Sequence, residues 1–221
     1  DFAISRFALD AFDDKKLSMQ YLKRAQTWKN LYNPETGWLQ SRRKEGFVDL
    51  KYDFRESTYN NYFWMVPFNI QGLIEIAGGK KESEKRLDFL FRKLDAGYDD
   101  DWFACGNEPS FGIPWVYNWV GKPHKTQKIV NRIIREQYSS RPNGLPGNDD
   151  LGSMGAWYVF ASIGLYPEIP AVAGFSINAP IFEKIKVHLR GGDLVIKGGS
   201  EEKCYINSLK LNKKAYQSTW I

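Results

Sequence analysis

The sequence predicts a mainly α-helical chain. Helix pairs joined by long loops occupy residues 1–170, and a short antiparallel β segment follows over residues 171–221. Three observations carry this reading. Apolar residues recur at three- and four-residue spacing through the first part. Clusters of Pro, Gly, Asn and Asp separate those stretches. After Pro167 and Pro170 the period changes to alternation. Long loops between hairpinned helices predict a toroid with its site at one mouth.

Phe7, Leu9, Ala11, Leu17, Tyr21, Leu22, Ala25 and Trp28 share helical spacing, so residues 1–30 read as helical. Asn33-Pro34-Glu35-Thr36-Gly37 is turn chemistry. The polar stretch 38–55 reads as one long loop. The apolar run Phe63 to Ile76 makes 61–78 a single helix, stopped by Gly78-Gly79. Residues 82–96 put Leu87, Leu90, Phe91 and Leu94 on one stripe. A loop starts at Asp99-Asp100-Asp101-Trp102. Helices are expected over 113–120, 124–138 and 152–165. Ile185–Leu189, Leu194–Lys197 and Tyr205–Leu211 alternate like strands, with Gly191-Gly192 and Gly198-Gly199 between them.

Composition excludes several classes. Fourteen Phe, 12 Tyr and 8 Trp, with 43% apolar residues, rule out a disordered chain. Two cysteines, Cys105 and Cys204, cannot frame 221 residues, whether or not they pair. No apolar stretch is long enough for a membrane-spanning helix. The net charge of +5 is scattered over the chain without a basic run, which describes a solvated surface rather than a nucleic-acid site. Metalloprotease, Walker-loop, nucleophile-elbow and dinucleotide signatures do not occur.

Three loops concentrate carboxylates, amides and aromatics. In the first, Glu56 stands near Phe54, Tyr59 and Tyr62. Partial burial there would favour its protonated form, as a general acid requires; a solvated Glu at a helix start is the alternative. In the second, Asn107 and Glu108 sit between Gly106 and Pro109. Their oxygens suit a hard cation such as Ca²⁺, or else cap the next segment. With only His124 and His188 in the chain, a histidine-based metal site is not expected. In the third, Asn148, Asp149 and Asp150 precede the helix that starts near Ser153. A helix N-terminus stabilises an ionised carboxylate, as a general base requires; simple capping is the alternative. Two carboxylates in unlike environments are what glycoside hydrolysis needs, and nearby Tyr, Trp and Phe rings can stack on a sugar.

At these loops the chain resembles the glycoside hydrolase family 92 α-mannosidases. The matching stretches are Glu56–Pro67 (ESTYNNYFWMVP), Gly106–Gln127 (GNEPSFGIPWVYNWVGKPHKTQ) and Gly144–Pro167 (GLPGNDDLGSMGAWYVFASIGLYP). The likeness extends through Tyr205–Ile221 and more weakly to Tyr32–Arg43.

The resemblance implies an (α/α)₆ barrel preceded by an N-terminal β-sandwich. Neither that sandwich nor the opening barrel helices lie in this chain, so the expectation is a C-terminal portion that needs the missing N-terminal portion of the same protein as partner. It implies a Ca²⁺-dependent, inverting exo-α-mannosidase acting on mannose-containing glycans, in a secreted, periplasmic or cell-surface setting. Glu56 matches the acid and Asp150 the base, with Asp149 beside it and Asn148 in place of a supporting Asp. Asn107 and Glu108 match the calcium loop.

Departures fall at the sugar-facing positions. Asn60 and Asn61 replace the usual Trp and Gln, Phe68-Asn69 replaces His-Asp, and Phe111-Gly112 replaces a pair of histidines. Asn60, Asn61, Phe111 and Trp102 are the candidate substrate contacts. A catalytically impaired glycan-binding module is the alternative reading.

Overall fold

The computed structural model describes residues 1–221. It is mainly helical with short antiparallel strands. The first thirty residues form a hairpin rather than one helix: α1 (Phe2–Phe12) and α2 (Lys15–Ala25), followed by a 3₁₀ stretch over Gln26–Leu31. The break is at Asp13, whose φ of 49° takes the left-handed conformation that Asp tolerates. Asp14 then caps α2, its side chain accepting from the Leu17 N–H at 2.9 Å. Ser5 and Ser18 meet between the helices at 3.0 Å.

The expected turn at residues 33–37 joins β1 (Tyr32–Asn33) to β2 (Trp38–Leu39). The Asn33 side chain accepts from the Glu35 N–H, and Gly37 has a φ of +76°. The 38–55 loop is not featureless. It contains β3 (Arg42–Arg43) and β4 (Gly46–Phe47), each too short for its alternation to register. Gln40 ties the loop down by donating to the Val48 carbonyl at 2.7 Å.

The single helix expected over 61–78 is corrected to two. α3 (Tyr59–Tyr62) is one turn, Pro67–Asn69 is 3₁₀, and α4 spans Ile70–Ile76. Pro67 disfavours a helical Val66 and has no N–H to give, so the ladder must restart. It restarts at Asn69, whose side chain accepts from the Gly72 N–H at 3.1 Å. Gly78 and Gly79, with φ of +99° and +91°, end α4 as expected.

α5 (Lys80–Leu90) buries Ser83, Leu87 and Leu90. It stops short of residue 96 because the Phe103 N–H takes the Leu90 carbonyl at 3.0 Å. Phe91 and Leu94 are buried all the same. α6 (Val116–Trp119) follows a 3₁₀ turn, α7 spans Pro123–Gln137 and α8 spans Ser153–Ile163.

One core of 25 buried residues unites α4 to α8 with the Phe63–Val66 segment that follows α3. Its centre is aromatic. Trp115, fully buried, stacks on Tyr166 with ring centroids 4.0 Å apart and donates to Asn178. Tyr138 stacks on Trp157, whose indole donates to the Phe111 carbonyl at 3.0 Å. Each such pair is worth about 0.5–1.5 kcal/mol beyond its burial. Cys105 and Cys204 are both free.

β5 (Leu165–Tyr166) pairs with β6 (Ser176–Ile177), so backbone pairing bridges the expected division at residue 170. β7 (Lys184–Leu189) and β8 (Gly192–Lys197) form the longest hairpin, with Ile185 opposite Ile196 and Val187 opposite Leu194. The expected strand Tyr205–Leu211 shrinks to β9 (Leu209–Leu211), which pairs with β10 (Lys214–Tyr216). The Ile206 N–H is taken instead by the Gln127 side chain at 2.7 Å. No helix is long and apolar enough to cross a membrane.

Candidate active site

The three polar loops adjoin one another: Asn107 bonds the Glu56 segment, and Gly106 packs on Gly147. Glu56 lies in the segment leading into α3, with a left-handed φ of 63°. A non-glycine residue stays in that region only when its surroundings hold it there. One such hold is Asn107, whose amide donates to the Glu56 carbonyl at 3.3 Å. The Glu56 carboxyl is exposed, so the apolar enclosure expected from Phe54, Tyr59 and Tyr62 is not in place. Phe54 and Tyr62 pack on one another, with centroids 5.5 Å apart. Glu56 instead lines an open cleft of about 780 Å³ with Lys51, Arg55, Tyr59, Tyr98 and Asp101.

Asn107 is buried and Glu108 half-buried. The Glu108 backbone N–H favours the charged carboxylate. Partial burial, a hydrogen bond with Asp150, and the charges of Asp150 and Glu56 outweigh it and push the Glu108 carboxyl upward. The two acids from distant loops therefore both act on Glu108. None of Glu56, Glu108 and Asp150 is paired with a Lys, Arg or His.

In the third loop the two aspartates divide their tasks. Asp149 serves α8: its carboxylate accepts from the Gly155 N–H at 3.1 Å, and its carbonyl from the Ser153 hydroxyl at 2.9 Å. Asp150 is exposed; its carbonyl accepts from the Ser153 N–H at 3.3 Å, but its carboxylate makes no bond to α8. It heads a run of left-handed residues, Asp150, Leu151 and Gly152, with φ of 47°, 60° and 87°. Asn148 is also exposed and makes no side-chain hydrogen bond.

The candidate sugar contacts are placed differently from expectation. Asn61 is fully buried, its amide donating to the Trp102 carbonyl and accepting from Ala104 and Ser110. An enclosed side chain whose oxygen and nitrogen are both bonded internally reaches no ligand, so Asn61 is a clamp in this structure. Asn60 is buried as well. The Trp102 indole donates to Asp95 at 3.0 Å, lies under Lys93, and does not line the cleft. Phe111 lines a smaller cavity of about 290 Å³ behind Glu108, with Trp64, Tyr166 and Glu168.

The cleft beside Glu56 uses residues that the sequence did not single out: Lys51, Arg55 and Tyr98. Nothing in their local pattern separates them from ordinary surface residues. Glu168 was also unmarked. It is buried, and burial pushes its carboxyl up to about 7, against hydrogen bonds from Ser176 and Trp119.

The donor set is oxygen. Glu108 and Asp150 offer carboxylates and Asn107 a carbonyl oxygen, which suits Ca²⁺ and not a soft metal. No three His, Cys, Asp or Glu side chains converge on one point.

The sequence profile of the glycosyl hydrolase family 92 catalytic domain matches residues 1–221. The chain belongs to glycosyl hydrolase family 92. It is 28% identical, over 91% of its length, to an uncharacterized secreted glycosidase of Arthroderma benhamiae, and covers 30% of that protein. It also superposes on two family 92 enzymes of Bacteroides thetaiotaomicron. One is an α-mannosidase in complex with mannoimidazole (28% identity, TM-score 0.87, 99% of this chain and 33% of that one). The other is an inverting mannosidase (26% identity, TM-score 0.88, 100% of this chain and 33% of that one). The family 92 chain thus spans about a third of the length of these relatives.

Proposed function

We propose that the complete protein is a secreted or cell-surface, exo-acting, inverting α-mannosidase that uses Ca²⁺. The observation that carries this is the packing of the Glu56, Glu108 and Asp150 loops on one another, through the Asn107–Glu56 bond and the Gly106–Gly147 contact, in a chain whose structural neighbours are mannosidases. In this reading Glu56 gives its proton to the glycosidic oxygen as the C1–O bond breaks. Asp150 takes a proton from a water that attacks C1 from the opposite face, so an α-mannoside yields β-mannose. The inverting geometry calls for a carboxyl separation of roughly 6.5–9.5 Å.

Glu108 and the Asn107 side-chain oxygen are the ligands we assign to Ca²⁺, which would supply Lewis-acid binding of sugar hydroxyls. Residues 1–170 would then be part of an (α/α)₆ barrel, with residues 171–221 as its β appendage. A further portion of the same protein, of the length the relatives carry, would complete both barrel and cleft and enclose Glu56. Proton NMR of the complete protein acting on an aryl α-mannoside tests the reading. β-Mannose appearing first supports it. α-Mannose first, or no hydrolysis, rejects it.

A further inference from the structure

Asn61 was expected at the sugar and lies instead inside the protein, where it joins the two halves of the site. It sits on α3, five residues beyond Glu56. Its Nδ2 donates to the Trp102 carbonyl at 2.8 Å. Its Oδ1 accepts from the Ala104 N–H at 3.0 Å and from the buried Ser110 hydroxyl at 3.2 Å. Those three partners bracket Asn107 and Glu108.

Two further bonds run the same way. Thr58 donates to the Asp100 carbonyl at 3.3 Å, and Asn107 donates back to the Glu56 carbonyl. The segment carrying Glu56 and the loop carrying Glu108 are thus stitched along their length. Asn61 is the only side chain in the seam that bonds three separate groups. Because it is fully buried, water cannot replace a bond it loses.

We infer that Asn61 is a positioning residue that fixes the Asn107–Glu108 loop against Glu56, so that cation site and acid keep one geometry. This rests on the mannosidase reading for its activity readout, and on the geometry alone for the rest. Asn61 touches neither substrate nor ion; it acts through Ala104, Ser110 and the loop between them. Partners one shell out from a metal ligand are typically worth about 10- to 100-fold in affinity or activity.

The test uses the complete protein with Asn61→Leu, which keeps the branched shape and removes all three bonds, and Ser110→Ala, which removes one. Leu73→Ala, in α4 at a fully buried site, is the control for destabilisation alone. For each variant we would measure kcat on an aryl α-mannoside, the Ca²⁺ concentration giving half-maximal rate, and amide hydrogen exchange over residues 102–110.

Asn61→Leu is expected to raise the half-maximal Ca²⁺ by about 10- to 100-fold and to speed exchange across 102–110. Ser110→Ala should do the same to a smaller degree, and it carries the test if Asn61→Leu does not fold. Leu73→Ala should lose thermal stability with neither effect. Variants at both seam positions that match Leu73→Ala would overturn the inference while leaving the mannosidase reading intact. A wild-type protein without mannosidase activity would sink that reading instead, and exchange over 102–110 would then decide the role of Asn61 by itself.

Discussion

Gly106 and Gly147 touch backbone to backbone. A Cβ on Gly106 would lie 2.6 Å from the Pro146 carbonyl oxygen, and one on Gly147 would lie 2.8 Å from the Gly106 carbonyl oxygen. No side chain fits between them. This contact brings the Glu108 loop against the Asp150 loop. Gly106→Ala must push the loops apart, at a cost of about 1–3 kcal/mol in stability. A displacement near 1 Å costs about 10²-fold in rate. Thermal melts and kcat of the complete protein check both, and a wild-type kcat would mean that the contact does not set the site.

Chelation gives a second expectation. The Asp150 and Glu56 carboxylates each disfavour a charged Glu108, and a bound cation would offset that. EDTA treatment should abolish mannoside hydrolysis. Added Ca²⁺ should restore it and Zn²⁺ should not, because the donor set is oxygen without histidine. Full activity after exhaustive chelation would remove the cation from the proposal.

Glu168 provides a pH prediction for stability. Burial raises its folded-state carboxyl from 4.5 to about 7, so the native state holds a proton that the unfolded chain releases. The associated stability is present below pH 4.5 and is lost as pH rises through 7. Its full size is about 3 kcal/mol, from 1.36 kcal/mol per pH unit. Glu168→Gln should flatten the fall in Tm between pH 5 and pH 8. An unchanged slope would show that Glu168 is not its source.

Much of this architecture was legible because burial imposes a period. Leu87 and Leu90 mark α5, with Phe91 and Leu94 buried just beyond its end, and Ile185, Val187, Leu194 and Ile196 mark the hairpin, since each set must face one side. Pro67 was present in the apolar run but was overruled by it, although a missing N–H cannot be offset by hydrophobicity. β1 to β4, two residues each, are too short to carry a period at all. The three site loops stood out because carboxylates, amides and aromatics cluster within each. The roles of Asn61 and Trp102 did not, because Asn61 bonds to partners 41 to 49 residues away. Such contacts exist only after folding.

The division of labour between Glu56 and Asp150 is most directly tested by changing the leaving group. Glu56→Gln and Asp150→Asn should be assayed in the complete protein on an unactivated mannobioside and on 2,4-dinitrophenyl α-mannoside, whose phenolate departs without a proton. Glu56→Gln should lose about 10²- to 10⁴-fold on the disaccharide and stay near wild type on the activated substrate. Asp150→Asn should lose both, because the water still needs its base. Equal losses on both substrates for Glu56→Gln, or retained turnover for Asp150→Asn, would contradict the assignment of acid and base.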